Sequence, residues 1–205
     1  MSIYSSLNFH LVKLLSNFCR NINNKAIYLT FDDGPEPYIT EYIVNLLNEY
    51  NIKATFFCCG KNAESYPHLL HLLKSNGHLV ANHTYSHING LKVPQQQYNA
   101  DVILGAKCLE SNLFRPPWGA LSLINYFYLR KKYKIILWDV VSNDTLKTRV
   151  DANREVSRMF DQIKGGDIIL FHFVQKHSEN TKLILPMFLE ESIKRGFMFN
   201  VFNEK

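Results

Sequence analysis

The sequence predicts a single-domain parallel α/β fold of the (β/α) barrel kind. Seven short apolar runs that read as strands alternate with six segments of helical periodicity. No glycine-rich phosphate loop follows any strand, so nothing marks an open dinucleotide-binding sheet. The polar and titratable strings gather instead just after strand ends, where barrels build their sites.

The elements follow in order. Ala26-Ile27-Tyr28-Leu29 reads as a buried first strand leading into Thr30-Phe31-Asp32-Asp33-Gly34-Pro35. Helical spacing predicts Ile39 to Tyr50 as a helix, with Ile43, Leu46 and Leu47 inward. Ala54 to Cys58 is the second strand. Pro67 to Ser75 is the next helix, closed by Asn76-Gly77. His78 to Ala81 is a third strand, running into Asn82-His83-Thr84-Tyr85-Ser86-His87. A helix from Gln95 to Glu110 precedes a fourth strand, Leu113 to Arg115, which Pro116-Pro117 stops. Leu121 to Lys132 reads as helix and Lys134 to Trp138 as the fifth strand. Val150 to Lys164 is a helix with Val156, Met159, Phe160 and Ile163 inward, broken by Gly165-Gly166. Asp167 to Phe171 is the sixth strand. A last helix, Leu183 to Lys194, ends at Gly196 and leads to a seventh strand, Phe197 to Phe202. Ahead of the barrel, Leu7, Leu11, Leu14, Leu15 and Phe18 recur at helical spacing. Residues 1–24 are therefore expected to be a helical extension packed on a domain spanning 25–205.

Composition narrows the function. A chain of 205 residues with 46% hydrophobic and 20% charged residues is an ordinary globular protein. The net charge of +5 is mild and its basic residues are scattered, which argues against a nucleic-acid groove. No apolar run approaches the ~18 residues that a membrane span needs. The amino terminus lacks a basic start and an unbroken apolar core, so the expected compartment is the cytoplasm. Cys19, Cys58, Cys59 and Cys108 show no Cys-x-x-Cys spacing and read as free thiols. Oligomeric state is not legible.

Four strings carry chemistry. Asp32 and Asp33 are adjacent carboxylates at a strand end, and such a pair repels unless a cation or an arginine lies against it. His83 and His87, four apart, would share one face of a helical turn and suit a divalent metal completed by a carboxylate. Arg115 at a strand end can pair with an aspartate. Because Pro116 and Pro117 lack N–H groups, the Trp118 amide is the first free donor after it and a candidate oxyanion donor. His172 ends the sixth strand; Asp144 could be its partner, raising its pKa, with Trp138 and Leu170 as apolar walls.

The strings Thr30 to Pro35, His83-Thr84-x-x-His87, Arg115-Pro116-Pro117-Trp118 and Leu170-x-His172 resemble four of the five motifs of the polysaccharide deacetylase family. This is the NodB-homology group, carbohydrate esterase family four. They occur in family order, and the resemblance covers about residues 25 to 203. It implies a distorted (β/α)7 barrel. It also implies hydrolysis of N-acetyl groups from the amino sugars of a polysaccharide or oligosaccharide, with a divalent metal: zinc, or cobalt or nickel as alternatives. Position by position, Asp33, His83 and His87 resemble the metal ligands, Asp32 the catalytic base and Arg115 the residue that positions it. The Trp118 amide resembles the oxyanion donor, His172 the general acid and Asp144 the carboxylate that tunes it. Pro117, Trp118, Trp138 and Leu170 resemble the substrate groove. The fourth motif departs: Val141 and Thr145 stand where the family has Asp and Trp, and Asp139 is an alternative tuning residue. Phe173 also stands where many relatives carry Asp. Two other functions are weighed against this one, an O-acetyl glycan esterase and a catalytically silent glycan-binding module.

Overall fold

The computed structural model describes residues 10, 11, 13 and 25–203. The order is β1 (Ala26–Asp32), α1 (Ile39–Glu49), β2 (Thr55–Cys58), α2 (Gly60–Ser65), α3 (Pro67–Ser75), β3 (Leu79–Asn82), α4 (Gln95–Leu109) and β4 (Leu113–Phe114). It continues with α5 (Leu123–Leu129), β5 (Lys134–Ile135), β6 (Val140–Val141), α6 (Ala152–Phe160), β7 (Ile168–His172), α7 (Ser178–Lys194) and β8 (Met198–Phe199).

Every strand pairing is parallel, and β1 is the axis. Its upper half lies between β2 and β7, while β8 pairs with its first residues, Ala26 and Ile27. The sheet order is β5-β4-β3-β2-β1-β7-β6. The expected fifth strand, 134–138, is corrected here. Its beginning, β5, pairs with β4, and the chain then crosses to pair as β6 with β7. One short stretch thus touches both outer strands and curls the sheet on itself. It is a distorted barrel closed by a few hydrogen bonds, such as Ile136 N–H to Phe114 O and Asp139 N–H to Ile168 O.

Strand alternation sets the two faces. Ile27, Leu29, Phe31, Ile169, Phe171 and Phe173 pack outward under the helices, with Phe31 and Phe56 stacked 4.8 Å apart. Each such ring contributes on the order of 2 kcal/mol by leaving water. Inside, Phe57, Leu113, Ile136, Ile168 and Phe202 form an apolar floor, and Tyr28 stacks on Phe202. Polar residues lie above that floor.

Other differences from the expected elements are local. Helix α2 was not expected; it is short and opens with glycine, which weakens any propensity signal. Helix α7 begins at Ser178, ahead of the expected Leu183. Most of the expected 1–24 extension lies outside the described residues, as does Cys19. His10, Leu11 and Lys13 are helical, and Lys13 pairs with Asp139 at 2.9 Å. Cys58, Cys59 and Cys108 are free thiols. Among the described residues, no helix is long and apolar enough to cross a membrane.

Helix α4 approaches the 82–85 segment so closely that only glycine fits at position 105. A Cβ there would lie 2.5 Å from Asn82 Oδ1 and 2.7 Å from the Thr84 carbonyl carbon. Gly105→Ala gains about 1 kcal/mol of helix propensity. It also forces an overpacked contact on a backbone that cannot rotate aside, at about 1–3 kcal/mol. The expected result is a net loss of up to about 2 kcal/mol in urea unfolding; a raised midpoint would show that the segment yields.

Candidate metal centre and catalytic cleft

Thr30 and Asp32 occupy the inner face of β1. The Arg115 guanidinium, fully buried, donates through Nη1 to Asp32 Oδ1 at 2.7 Å and to Thr30 Oγ1 at 2.8 Å. Its Nε reaches the Ile136 carbonyl, and its carbon lies 4.0 Å from the Phe57 ring centroid. Burial pushes the Arg115 pKa down and Asp32 opposes that shift, so the guanidinium stays charged. Asp33 leaves the strand in the left-handed region, φ 84°, and so its side chain is not bound by strand alternation. Helix α2 holds this bend: Asn62 Nδ2 donates to the Asp33 carbonyl at 3.0 Å.

Residues 83–87 do not form the helical turn that their spacing suggests. Thr84 and His87 are left-handed, with φ of 66° and 56°, and the loop is held from α4. The Asp101 carboxylate accepts from the Tyr85 and Ser86 amides and the Ser86 hydroxyl. The loop still brings the two imidazoles together, with ring centroids 5.2 Å apart. His83 Nε2 and His87 Nε2 lie 3.2 and 3.0 Å from Asp33 Oδ1.

The tautomer of His83 bears on whether this cluster can hold a metal. His83 Nδ1 lies 2.8 Å from the Arg115 carbonyl, which can only accept, so Nδ1 carries the proton. In the neutral ring the Nε2 lone pair then faces a carboxylate oxygen, and two electron-rich atoms at that distance need a proton or a cation between them. One ligand atom from each of Asp33, His83 and His87 lies within 4.8 Å of the others. Two imidazoles and one carboxylate could hold a divalent ion with positions left for water and substrate. Burial would raise the Asp33 carboxyl, but contacts from His83 and His87 hold it well below the usual range.

His172 stands in register with Asp32 on the adjacent strand. Asp144 accepts its ring Nδ1–H at 3.0 Å and its amide at 2.8 Å. Thr181 Oγ1 donates to the same carboxylate at 3.1 Å. Asp144, not Asp139, is the partner: Asp139 instead accepts the Ile168 amide and pairs with Lys13. The departures in this segment leave that arrangement intact. Buried Glu155 accepts from the Asn143 amide and side chain, Arg158 grips Glu155, and Arg158 also donates to the Val141 carbonyl. Asp101, Glu155 and Asn62 are thus supporting residues that no motif announced and no fixed spacing could reveal.

An open cleft of about 420 Å³ is lined by Asp33, His87, Trp118, Tyr85, Lys61 and Lys176, among others. Trp118 is left-handed, φ 55°, half exposed, and packs edge-on to His87 at 4.3 Å. Its amide has no protein acceptor among the described residues. The other expected wall residues lie deeper. Pro117 is buried, Leu170 is 2% exposed below His172, and Trp138 packs against the floor on the Arg115 side. None of the three lines the cleft. Phe173 faces outward into the aromatic cluster and against Gly34, where a Cβ would lie 2.5 Å from its ring.

Known proteins share this arrangement of chain. A family model described as polysaccharide deacetylase matches residues 20–129. A Bacillus cereus peptidoglycan-N-acetylglucosamine deacetylase is 29% identical over 89% of this chain and 88% of its own. An Azorhizobium caulinodans chitooligosaccharide deacetylase is 32% identical over 73% and 74%. A crystal structure of a peptidoglycan N-acetylglucosamine deacetylase aligns with a TM-score of 0.84 and 27% identity, covering 90% of this chain and 89% of that one.

The His172–Asp144 pair makes a prediction independent of any reaction. Burial alone would push the His172 pKa down; the Asp144 hydrogen bond and charge override it and raise it to about 9. The raised value stabilises the fold fully below about pH 6.5. That contribution is lost as pH climbs through about 9. In Asp144→Asn, NMR titration of the His172 ring should show its pKa fall by about one unit or more. A value still near that of the wild type would mean that Asp144 is not what holds the proton.

Proposed function

The chain belongs to the polysaccharide deacetylase family, and on that premise we propose that it is a metal-dependent hydrolase. It removes N-acetyl groups from N-acetylated amino sugars of a glycan, releasing acetate and a free amine. N-acetylglucosamine polymers or oligomers, the material named for its relatives, are the first substrates to test. Residues 25–205 are read as the deacetylase domain and 1–24 as an extension of it.

One observation carries the reading: Asp33, His83 and His87 converge on one point beside Asp32, and Asp32 stands in register with His172. A divalent cation held by Asp33, His83 Nε2 and His87 Nε2, with zinc first and cobalt or nickel as alternatives, would polarise the acetyl carbonyl and acidify water.

The chain's own groups do the rest. Asp32, held in place by its ion pair with Arg115, accepts a proton from the water that attacks the acetyl carbon. The Trp118 N–H donates to the oxygen of the tetrahedral intermediate. His172, protonated and held by Asp144, gives its proton to the sugar nitrogen as the C–N bond breaks. That donation matters because an unprotonated amide nitrogen is a very poor leaving group. The water's oxygen stays with acetate, and the amine leaves neutral or protonated according to pH.

The division of labour is testable. Acetate release from N-acetylglucosamine oligomers should need added metal and stop with chelator. Asp32→Asn should lower turnover by about 10²- to 10⁴-fold while metal content stays near one equivalent. His83→Ala should lose the metal itself. Equal metal content in the two variants, measured by elemental analysis, would overturn the assignment.

A further inference from the structure

Beside the cleft lies a second concavity of about 450 Å³, lined by Lys147, Arg149, Lys176 and Lys182 among others. The two share Lys176 and His177 on their linings, so this basic trough adjoins the catalytic cleft. Lys61 stands on the lining of the catalytic cleft. Among the described residues, the acid that lines the second concavity is Glu179, which is 89% exposed and reaches Lys182 at 3.6 Å. Lys147, Arg149 and Lys176 have no carboxylate partner among the described residues. Cations elsewhere are often matched: Arg115 with Asp32, Arg158 with Glu155, Arg195 with Glu191.

The trough is built rather than incidental. Asn180, buried at the start of α7, donates to the Leu146 and Thr148 carbonyls at 3.0 and 3.1 Å and accepts the Val150 amide at 3.0 Å. Those three bonds fix the loop that presents Lys147 and Arg149. Thr181, one residue on, bonds both Asp144 and the His177 carbonyl, which ties the trough wall to the His172 partner.

We propose that this trough is a subsite for an anionic group, carboxylate or phosphate, carried by a sugar near the one being deacetylated. The substrate class is therefore an acidic N-acetylated glycan. This inference rests on the hydrolase reading above. Several like charges held along one wall repel, and a polyanion laid across them removes the repulsion and is drawn in by their field. Arg149 can grip an oxyanion as a fork, while the lysines act as point charges.

The test is calorimetric binding of three oligosaccharides of equal length: a neutral N-acetylglucosamine oligomer, an N-acetylated oligomer bearing carboxylates, and a phosphorylated one. The full chain is compared with the double variant Lys147→Ala/Arg149→Ala. Both side chains are exposed, so the variant is expected to fold. The wild type should bind an anionic oligomer about three- to tenfold tighter than the neutral one. That preference should shrink as salt rises from about 20 to about 200 mM. The double variant should lose the preference, and Lys147→Arg should keep it. Whichever anionic oligomer binds tighter identifies the group. Equal binding of neutral and anionic oligomers, or a preference that survives in the double variant, overturns the subsite. Acetate release is followed on the same three oligomers. Release without charge preference sinks the subsite alone. Charge-selective binding without release from any oligomer, metal supplied, sinks the hydrolase reading alone.

Discussion

A guanidinium with no access to water sits inside the barrel, and the site is assembled around it. Arg115 makes contacts of four kinds. Its Nη1 binds Asp32 and Thr30 of the central strand. Its own carbonyl accepts from His83 Nδ1 and so sets the histidine tautomer. Its amide donates to Asn82 O at the end of β3, and its planar face covers Phe57. A buried charge pair is not in itself a source of stability, since the desolvation of both ions offsets most of their attraction. Its value here is positional. Breaking one side would leave the other charged and stranded, typically at about 3–5 kcal/mol, so Asp32 and Arg115 hold each other in place. One residue therefore specifies both the orientation of the base and which nitrogen of His83 meets the cluster.

The functional side chains stand where regular structure ends, and each end is secured from a distance. Asp33, Thr84, His87 and Trp118 all adopt left-handed backbone conformations that bulky residues seldom occupy. Such residues persist only where surroundings over-determine them. The surroundings are polar anchors on helices: Asn62 of α2 for the Asp33 bend, Asp101 of α4 for the 84–86 loop, and Glu155 of α6 for the segment that carries Asp144. The barrel supplies rigidity and the anchors transmit it to the loops.

This division explains what the sequence could and could not disclose. The strand ends were legible because apolar runs stop abruptly at Asp32, Asn82, Arg115 and His172, and the chemistry-bearing residues follow at once. The grouping of Asp33 with His83 and His87 was legible from residue type. The route to it was not: a four-residue spacing suggests a helical turn, whereas the loop reaches the same convergence through two left-handed residues. The run Lys134 to Trp138 is apolar throughout its last four residues, and nothing in it says that pairing with β4 stops after its first residues or that the chain just beyond it joins β7. The expectation of Leu170 and Trp138 as groove walls comes from the family resemblance. Alternation carries Leu170 to the inner face below His172, where it is covered. Anchors such as Asp101 and Glu155 left no trace because a partner some 12 to 16 residues away has no fixed spacing.

The altered fourth motif shows how these levels separate. At position 141 the chain needs a backbone carbonyl for Arg158 and a place in the ladder beside Leu170, and valine meets both requirements. At position 144 it needs a carboxylate, because only an ionised acceptor holds a proton on a histidine that burial would strip of it. Asp144 is therefore the position in the segment where side-chain chemistry is indispensable, and it is kept. Thr145 is partly exposed and forms no hydrogen bond with the His172 pair. It stands on the stretch that leads directly into the basic loop at 146–149. The departures at 141 and 145 thus leave untouched the carboxylate and hydrogen bonds that hold His172.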